Sequence, residues 1–334
     1  MRSEHLKNSD QDFEKDIFYQ SNSWVKISES ENITCHQLLI KDQNKPVIYS
    51  NIFEYSIPYL GKYFFIPKGP EVLSPTIKSA HLHKFYKELK SLAKENNIKF
   101  CIIEPNQELT STELIVTKFF QKYCVNFPKN KLPLKTHILD LTLGKEQLLT
   151  NLKSKTRYNI NLAKKKEVQI EFFEIDSPNF QQNFDQFYNI LKITSVRGAF
   201  GIHPKQHYLN ILRETSPNFQ PFLAIAKIKD TVLAGNIMLH TQNQSIYLHG
   251  GSDNNHRNLM APYLLQWACI DKAIENKKEI YDFWGISDKK DSWSGLTRFK
   301  RSFQGKDIEY QSPKAIIFNP FIFYIYLLYT KLKK

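Results

Sequence analysis

The chain reads as a mixed α/β (α+β) protein of two domains, and three observations predict that class. Its 334 residues exceed what one hydrophobic core usually supports. The first half alternates short β-rich runs with a helical stretch, and the second runs through helices, three successive strands, a helix and a strand. The content of 41% hydrophobic and 24% charged residues is that of a folded globular chain rather than a disordered one. Two cores of about 150 residues each would leave a cleft between them.

In the first half, PVIYSNIFEYSI (46–57) and KYFFIP (62–67) have the β-branched and aromatic content of strands. HLHKFYKELKSLAKEN (81–96) follows as a helix, and KFCIIEP (99–105) as the next strand. The proline-bearing connection and strand over 129–144 mark the junction. Beyond it, Leu148, Leu149, Leu152, Thr156, Ile160 and Ala163 form one stripe at helical spacing, which predicts a single helix. Lys153, Arg157 and Lys164 cluster beside that stripe as a basic ridge, either a phosphate-contacting edge or a solvated face. A second amphipathic helix spans about 179–196 and ends near Arg197-Gly198. PFLAIAKIK, TVLAGNIMLHT and SIYLHGG then read as strands, followed by a helix over 261–277 and the strand EIYDFWGI (279–286).

That order of helices, antiparallel meander, helix and strand is similar to an acyl-CoA N-acyltransferase domain of the GNAT type. The expected architecture is therefore two GNAT-like domains with a cleft, residues 1–140 and 141–317, and a C-terminal aromatic and basic helix over 318–334. A GNAT enzyme using acyl-CoA needs a glycine-containing loop whose backbone N–H groups approach the pyrophosphate. The corresponding loop, DNNHRNLMAPYLL, has no glycine after Arg257 and places Pro262 where a donor would help, which weakens the acyl-CoA reading.

A net charge of +13 favours a polyanionic partner: nucleic acid, a nucleotide-linked substrate or an anionic membrane surface. Residues 144–167 hold seven Lys or Arg against two acids, and residues 289–306 six against one. The cysteines, Cys35, Cys101, Cys124 and Cys269, form no CxxC pair and no metal-ligand spacing, so they are read as reduced and mostly buried, with no metal. The N-terminus lacks the apolar core of a signal peptide, which points to the cytoplasm. The aromatic tail over 315–330 is interrupted by Asn319-Pro320 and is too short to span a bilayer. It suits either a helix packing on its own domain or one lying peripherally at the inner face of the membrane.

The stretch from Tyr281 to Phe303 carries the chemistry most plainly. An apolar strand ends in Gly285 and leads to the basic aromatic pair Phe299-Lys300. An ammonium beside a hydrophobic wall can stabilise the oxyanion of an acyl transfer; the same residues could also form a solvated basic turn. Glu104, just before Pro105, either orients or deprotonates an acceptor ammonium or caps a turn. Tyr247 and His249 share a strand whose alternation does not say which side faces the cleft, and Tyr247 is kept as a candidate. Lys68-Gly69-Pro70 reads as a rigid turn that shapes a wall.

Taken together and in order, QSNSWVK (20–26), YFFIPKGP (63–70), FCIIEP (100–105), LKSKTRYNINLAKKKEV (152–168), TSVRGAFG (194–201) and YDFWGI followed by GLTRFKRSFQG resemble the FemAB/FemX family. Those are tRNA-dependent aminoacyltransferases that build peptidoglycan cross-bridges. The resemblance implies an aminoacyl-tRNA co-substrate and no further cofactor. It implies as acceptor a peptidoglycan precursor, UDP-MurNAc-pentapeptide or lipid II, whose side-chain amine becomes acylated. It places Lys300 and Phe299 in the family's FK pair, and Gln20, Trp24 and Lys26 in QxxxWxK. Lys26 and, in TxxRxxF, Arg197 match positions similar to precursor-phosphate ligands, where Arg brings a fork and Lys a point charge. Lys153, Arg157 and Lys164 become the candidate tRNA contacts. The stretch between Arg197 and Phe222 has no room for a coiled-coil arm, so the resemblance leans to the monomeric FemX-like branch. Two other classes stay open: a GNAT-type N-acyltransferase using acyl-CoA or acting in polysaccharide biosynthesis, and a non-catalytic tRNA-binding protein.

Overall fold

The computed structural model describes residues 2–6, 16–106, 114–198, 200–289 and 291–332. The chain divides into two units, residues 1–134 with 309–334, and residues 135–308.

The first unit opens with β1 (Arg2–Leu6) and α1 (Asn22–Ser30), and the Ser21 hydroxyl caps α1 by accepting the Trp24 amide at 3.2 Å. Strands β2 (Thr34–Asp42), β3 (Lys45–Ile57), β4 (Gly61–Pro67) and β5 (Glu71–Val72) follow. Helix α2 (Ser79–Glu95) leads to β6 (Ile98–Glu104), and α3 (Leu114–Tyr123) to β7 (Val125–Asn126). The two-residue alternation of the strands sorts the core onto two faces. Phe64, Ile66, Cys101 and Ile103 meet Leu82, Phe85 and Leu89 of α2 on one face. Tyr63, Phe65, Phe100 and Ile102 point to the other.

The second unit begins with β8 (Lys135–Asp140), then α4 (Lys145–Asn151), α5 (Ser154–Lys165) and β9 (Gln169–Phe173). The single helix expected across this stretch is two. Leu152 and Lys153 adopt extended ψ values of 146° and 141°, and Arg157 donates to the carbonyls of Thr150 and Leu152, which closes off α4. Neither Gly nor Pro marks the break, and Leu149, expected in the buried stripe, is exposed.

Helices α6 (Phe180–Gly198) and α7 (Lys205–Arg213) precede the meander β10 (Gln220–Ile228), β11 (Thr231–His240) and β12 (Gln244–Ser252). Then come α8 (Ala261–Glu275), β13 (Ile280–Gly285), α9 (Ser294–Arg301) and β14 (Lys306–Glu309). Small buried residues, Ala224, Ala226 and Ala234, join α8 side chains in one core cluster. Gly235 lets Phe187 of α6 approach the opposite face: a Cβ there would lie 2.5 Å from its ring. The sheet order is β14-β8-β13-β12-β11-β10-β9, with β12 and β13 parallel.

The chain then returns to the first unit with β15 (Lys314–Ile317) and α10 (Pro320–Leu332). The first sheet runs β1-β2-β3-β4-β6-β15-β7, with β5 on β3. This corrects the expected division at 141 and 318: the first segment ends at 134, and everything from 309 onward belongs to the first unit, not to the second domain or a separate tail. Asn319-Pro320 is the point where strand becomes helix, because the Asn319 side chain accepts the Ile322 amide at 3.1 Å and proline suits the first helical position. Phe323, Tyr326 and Leu327 of α10 cover the second face of the sheet. Among the described residues no helix is long and apolar enough to cross a membrane.

Candidate active site

The end of β13 is shaped by a bulge. Against β8 the register passes from Asp282 opposite Ile138 to Gly285 opposite Thr136, one residue too many. Trp284 absorbs it at φ 59°, a left-handed conformation that costs a side-chain-bearing residue of order 1 kcal/mol. Asp282 holds the kink by accepting the Trp284 amide at 2.7 Å and the Thr136 hydroxyl. The Gly285 carbonyl thereby faces α9 and accepts a hydrogen bond from the Lys300 ammonium at 2.8 Å.

Lys300 is only 5% exposed, and its Nζ lies 5.3 Å from the centre of the Tyr247 ring. Burial pulls its pKa down from 10.5 to about 7, against the opposing pull of Asp282. The lysine is thus poised near neutrality with two further N–H donors when protonated. Tyr247 sits beside a bulge in β12, and burial keeps its phenol protonated. Gly250 is required there, since a Cβ would lie 2.2 Å from the Tyr247 hydroxyl.

Around this pair, α9 is fixed from its far side. Arg301 pairs with Asp288 at 2.7 Å and Asp307 at 2.6 Å, and His137 meets Asp307 at 2.8 Å. Phe299, expected in the catalytic pair, packs edge-on against Tyr263 and Phe303 at 5.1 and 5.5 Å. These contacts seat α9 on the core next to Lys300. Arg197 is exposed at the end of α6, and its guanidinium donates to the Ser252 carbonyl at 3.2 Å.

The remaining candidates lie in the first unit. Gln20 is fully buried and uses both ends of its amide on backbone: it donates to Pro67 O at 2.6 Å and accepts from Asn51 N at 2.7 Å. Its expected substrate contact is replaced by a structural one that ties the Lys68-Gly69-Pro70 turn to β3. Trp24 is half-buried in edge contacts with Phe18 and Tyr19 at 5.2 and 4.8 Å, while Lys26, two residues further along α1, is exposed.

Glu104 is buried at the end of β6 and accepts the amides of Lys131 and Leu132 at 2.5 and 2.9 Å. The turn-capping alternative is what its carboxylate does, although the turn is the distant 131–132 one and not that before Pro105. Burial raises its pKa, with those two amides opposing. Sequence reading missed the residues around it. Lys131 places its ammonium 3.7 Å from the Tyr55 ring centre and 4.6 Å from that of Phe65, and burial lowers its pKa to about 8. Lys68, also buried, sits 3.0 Å over the Tyr310 ring. No local pattern announces either lysine, because their aromatic partners come from distant strands; Asp282, within DFWG, could have been found from the improbability of a carboxylate inside an apolar strand.

The basic ridge is divided by its geometry. Lys153 stands at the N-terminal end of α5 and is exposed, Lys164 is exposed in its last turn, and Arg157 is committed to the α4 carbonyls. Among the described residues no three His, Cys, Asp or Glu side chains are grouped to hold a metal ion.

The second unit thus combines a mixed sheet carrying helices, an antiparallel meander, and a bulged strand that presents its carbonyl to a buried lysine. The chain belongs to the FemAB family, whose sequence model matches residues 2–228 and 212–329. It is 34% identical over 94 residues to the aminoacyltransferase FemA of Staphylococcus epidermidis, covering 27% of this chain and 22% of that protein. FemA of Staphylococcus aureus is 32% identical over 92 residues, or 27% and 21% of the two chains. The match thus spans about a fifth of the length of these curated relatives. A crystal structure of FemX superposes with a TM-score of 0.84 at 15% identity, covering 97% of this chain and 99% of that one. A tandem GNAT protein from the clavulanic acid biosynthesis pathway superposes at 0.56 and 9% identity, covering 96% and 99%. The expected GNAT-like fold is therefore present.

Proposed function

We propose that the chain transfers the aminoacyl group of an aminoacyl-tRNA to a side-chain amine of a peptidoglycan stem peptide, forming part of a cross-bridge. The observation that carries this reading is the buried Lys300 ammonium at the Gly285 carbonyl, in a chain of the FemAB family. The neutral amine attacks the ester carbonyl, and the tetrahedral intermediate collapses with cleavage of the carbon–oxygen bond to the terminal ribose. The amine nitrogen gives up a proton, the departing ribose oxygen gains one, and the new bond is an amide. Protonated Lys300 stabilises the negative oxygen between those steps, and positioning supplies the remainder of the acceleration. No cofactor beyond the aminoacyl-tRNA is needed by this chemistry. Lys26 and Arg197, both exposed, are the proposed ligands of the precursor's phosphates, and Lys153 and Lys164 the proposed tRNA contacts. Both substrates place the reaction in the cytoplasm, and the protein acts as a monomer.

The test mixes purified protein with a pool of radiolabelled aminoacyl-tRNAs and either UDP-MurNAc-pentapeptide or lipid II. Label entering one precursor identifies donor and acceptor together. Absence of transfer to both, with stoichiometric binding of acyl-CoA, would replace this reading by the acyl-CoA one.

A further inference from the structure

Helix α10 is apolar on both sides, yet among the described residues only one side packs into a core cluster. Phe323 is buried and Tyr326 and Leu327 pack on the sheet. On the opposite face Phe321, Tyr324 and Leu328 are 73%, 58% and 61% exposed. At 100° per residue these three fall within a 60° arc, and the neighbouring Ile325 and Tyr329 widen it without adding a charge. A folded chain does not ordinarily leave such a stripe in water.

Lysines stand at both ends of the stripe. Lys99 stands at the start of α10, where its carbonyl accepts the amides of Phe318 and Asn319. At the other end Lys331 is exposed, and Lys129 donates to the Thr330 carbonyl. The sequence continues with Lys333 and Lys334, and residues 320–334 contain no acid. On the same side of the sheet, Tyr59 is fully exposed on the β3–β4 turn, whose Ile57 and Leu60 belong to the cluster that α10 packs against.

We infer that α10 docks on an anionic lipid surface, lying in its plane with Phe321, Tyr324 and Leu328 among the acyl-chain ends and the lysines at headgroup level. Aromatic rings and lysines at the two edges of an apolar helix face are the chemistry that a bilayer interface selects. A second copy of this chain is the poorer occupant. Both ends of the helix are basic, so parallel and antiparallel pairing alike set lysine against lysine. A stripe on a 13-residue helix also falls well short of the roughly 800 Å² per partner of a stable interface. Docking stands independently of the transfer reaction.

The test is co-sedimentation of the full chain with phosphatidylcholine vesicles, with and without phosphatidylglycerol. Wild type should pellet with the anionic vesicles. Phe321→Ser, Tyr324→Ser and Leu328→Ser combined should weaken partitioning by at least about tenfold, the loss expected when aromatic and aliphatic side chains no longer insert. Because all three are exposed, the melting temperature should not fall. Lys129→Gln with Lys331→Gln should reduce binding by about fivefold per lysine on anionic vesicles only. Equal pelleting of the triple variant, or no pelleting of wild type, overturns the proposal. So does a wild-type dimer in sedimentation equilibrium that the triple variant dissolves, since the face would then be a self-association surface.

Discussion

The Lys300 ammonium donates to the carbonyl oxygen of Gly285 across 2.8 Å, and that carbonyl is where it is because Trp284, one residue earlier, sits at φ 59°. A helix and a bulged strand are thereby pinned together around a buried lysine. Lys300→Met removes that charge and should lower kcat by about two to three orders of magnitude with a smaller change in KM, as loss of an oxyanion-hole donor does. Lys300→Arg stays charged at all working pH. In wild type, activity should decline as pH rises through about 7, the folded-state pKa of Lys300, and that limb should vanish in Lys300→Arg. Rates measured across pH check both; a limb retained in Lys300→Arg would remove Lys300 from the chemistry.

The same lysine has a stability signature. Its folded pKa of about 7 lies below the ordinary 10.5, so its contribution is fully present above pH 10.5 and is lost as pH falls toward 7. Lys300→Met carries no such linkage. Urea denaturation should show the variant gaining on wild type from pH 10.5 down to 7, with a constant difference below.

For Glu104 the sign is opposite. Its pKa is raised in the folded state, so stability is present below the ordinary value of 4.5 and is lost as pH climbs through the folded pKa. Glu104→Gln keeps an acceptor for the Lys131 and Leu132 amides but cannot ionise. The variant should improve relative to wild type above pH 4.5, and transfer should survive if the carboxylate serves the turn alone. Loss of transfer with melting unchanged would return Glu104 to catalysis.

Gly305, with φ 107°, turns the chain from α9 into β14, and a Cβ there would lie 2.2 Å from the Ile138 carbonyl oxygen. Backbone cannot yield as a side-chain tip can. Gly305→Ala should therefore cost about 2 kcal/mol or more, read as a lowered urea midpoint.

Within the basic ridge the residues should separate. Lys153→Gln with Lys164→Gln should lower the slope of log affinity for tRNA against log salt by about 1.5 while leaving melting unchanged. Arg157→Gln should instead destabilise, because it frees the carbonyls of Thr150 and Leu152. An unchanged slope in the double variant makes the ridge a solvated face.

Much of this fold was legible because its strands and helices follow their own periods: Tyr63 and Phe65 against Phe64 and Ile66, or Leu82, Phe85 and Leu89 along α2. That Lys300 stands beside an aromatic ring after an apolar strand was legible from its place in the sequence. What escaped depends on partners far away in sequence. The α4–α5 break rests on one arginine reaching back to two carbonyls. Gln20 looked like a ligand because nothing in QSNSWVK foretells that Pro67 and Asn51 occupy its amide. The tail was assigned to its own segment because a strand of four residues, Lys314–Ile317, is too short to announce which sheet it joins.

That short strand sets the order in which the molecule can be completed. β15 lies between β6 and β7, so the first sheet has a gap until residues past 317 have left the ribosome. The second sheet needs nothing beyond 309. The part of the chain made first is therefore the last to close, and during synthesis the edge of β6 waits with unpaired amides and carbonyls while the later unit folds.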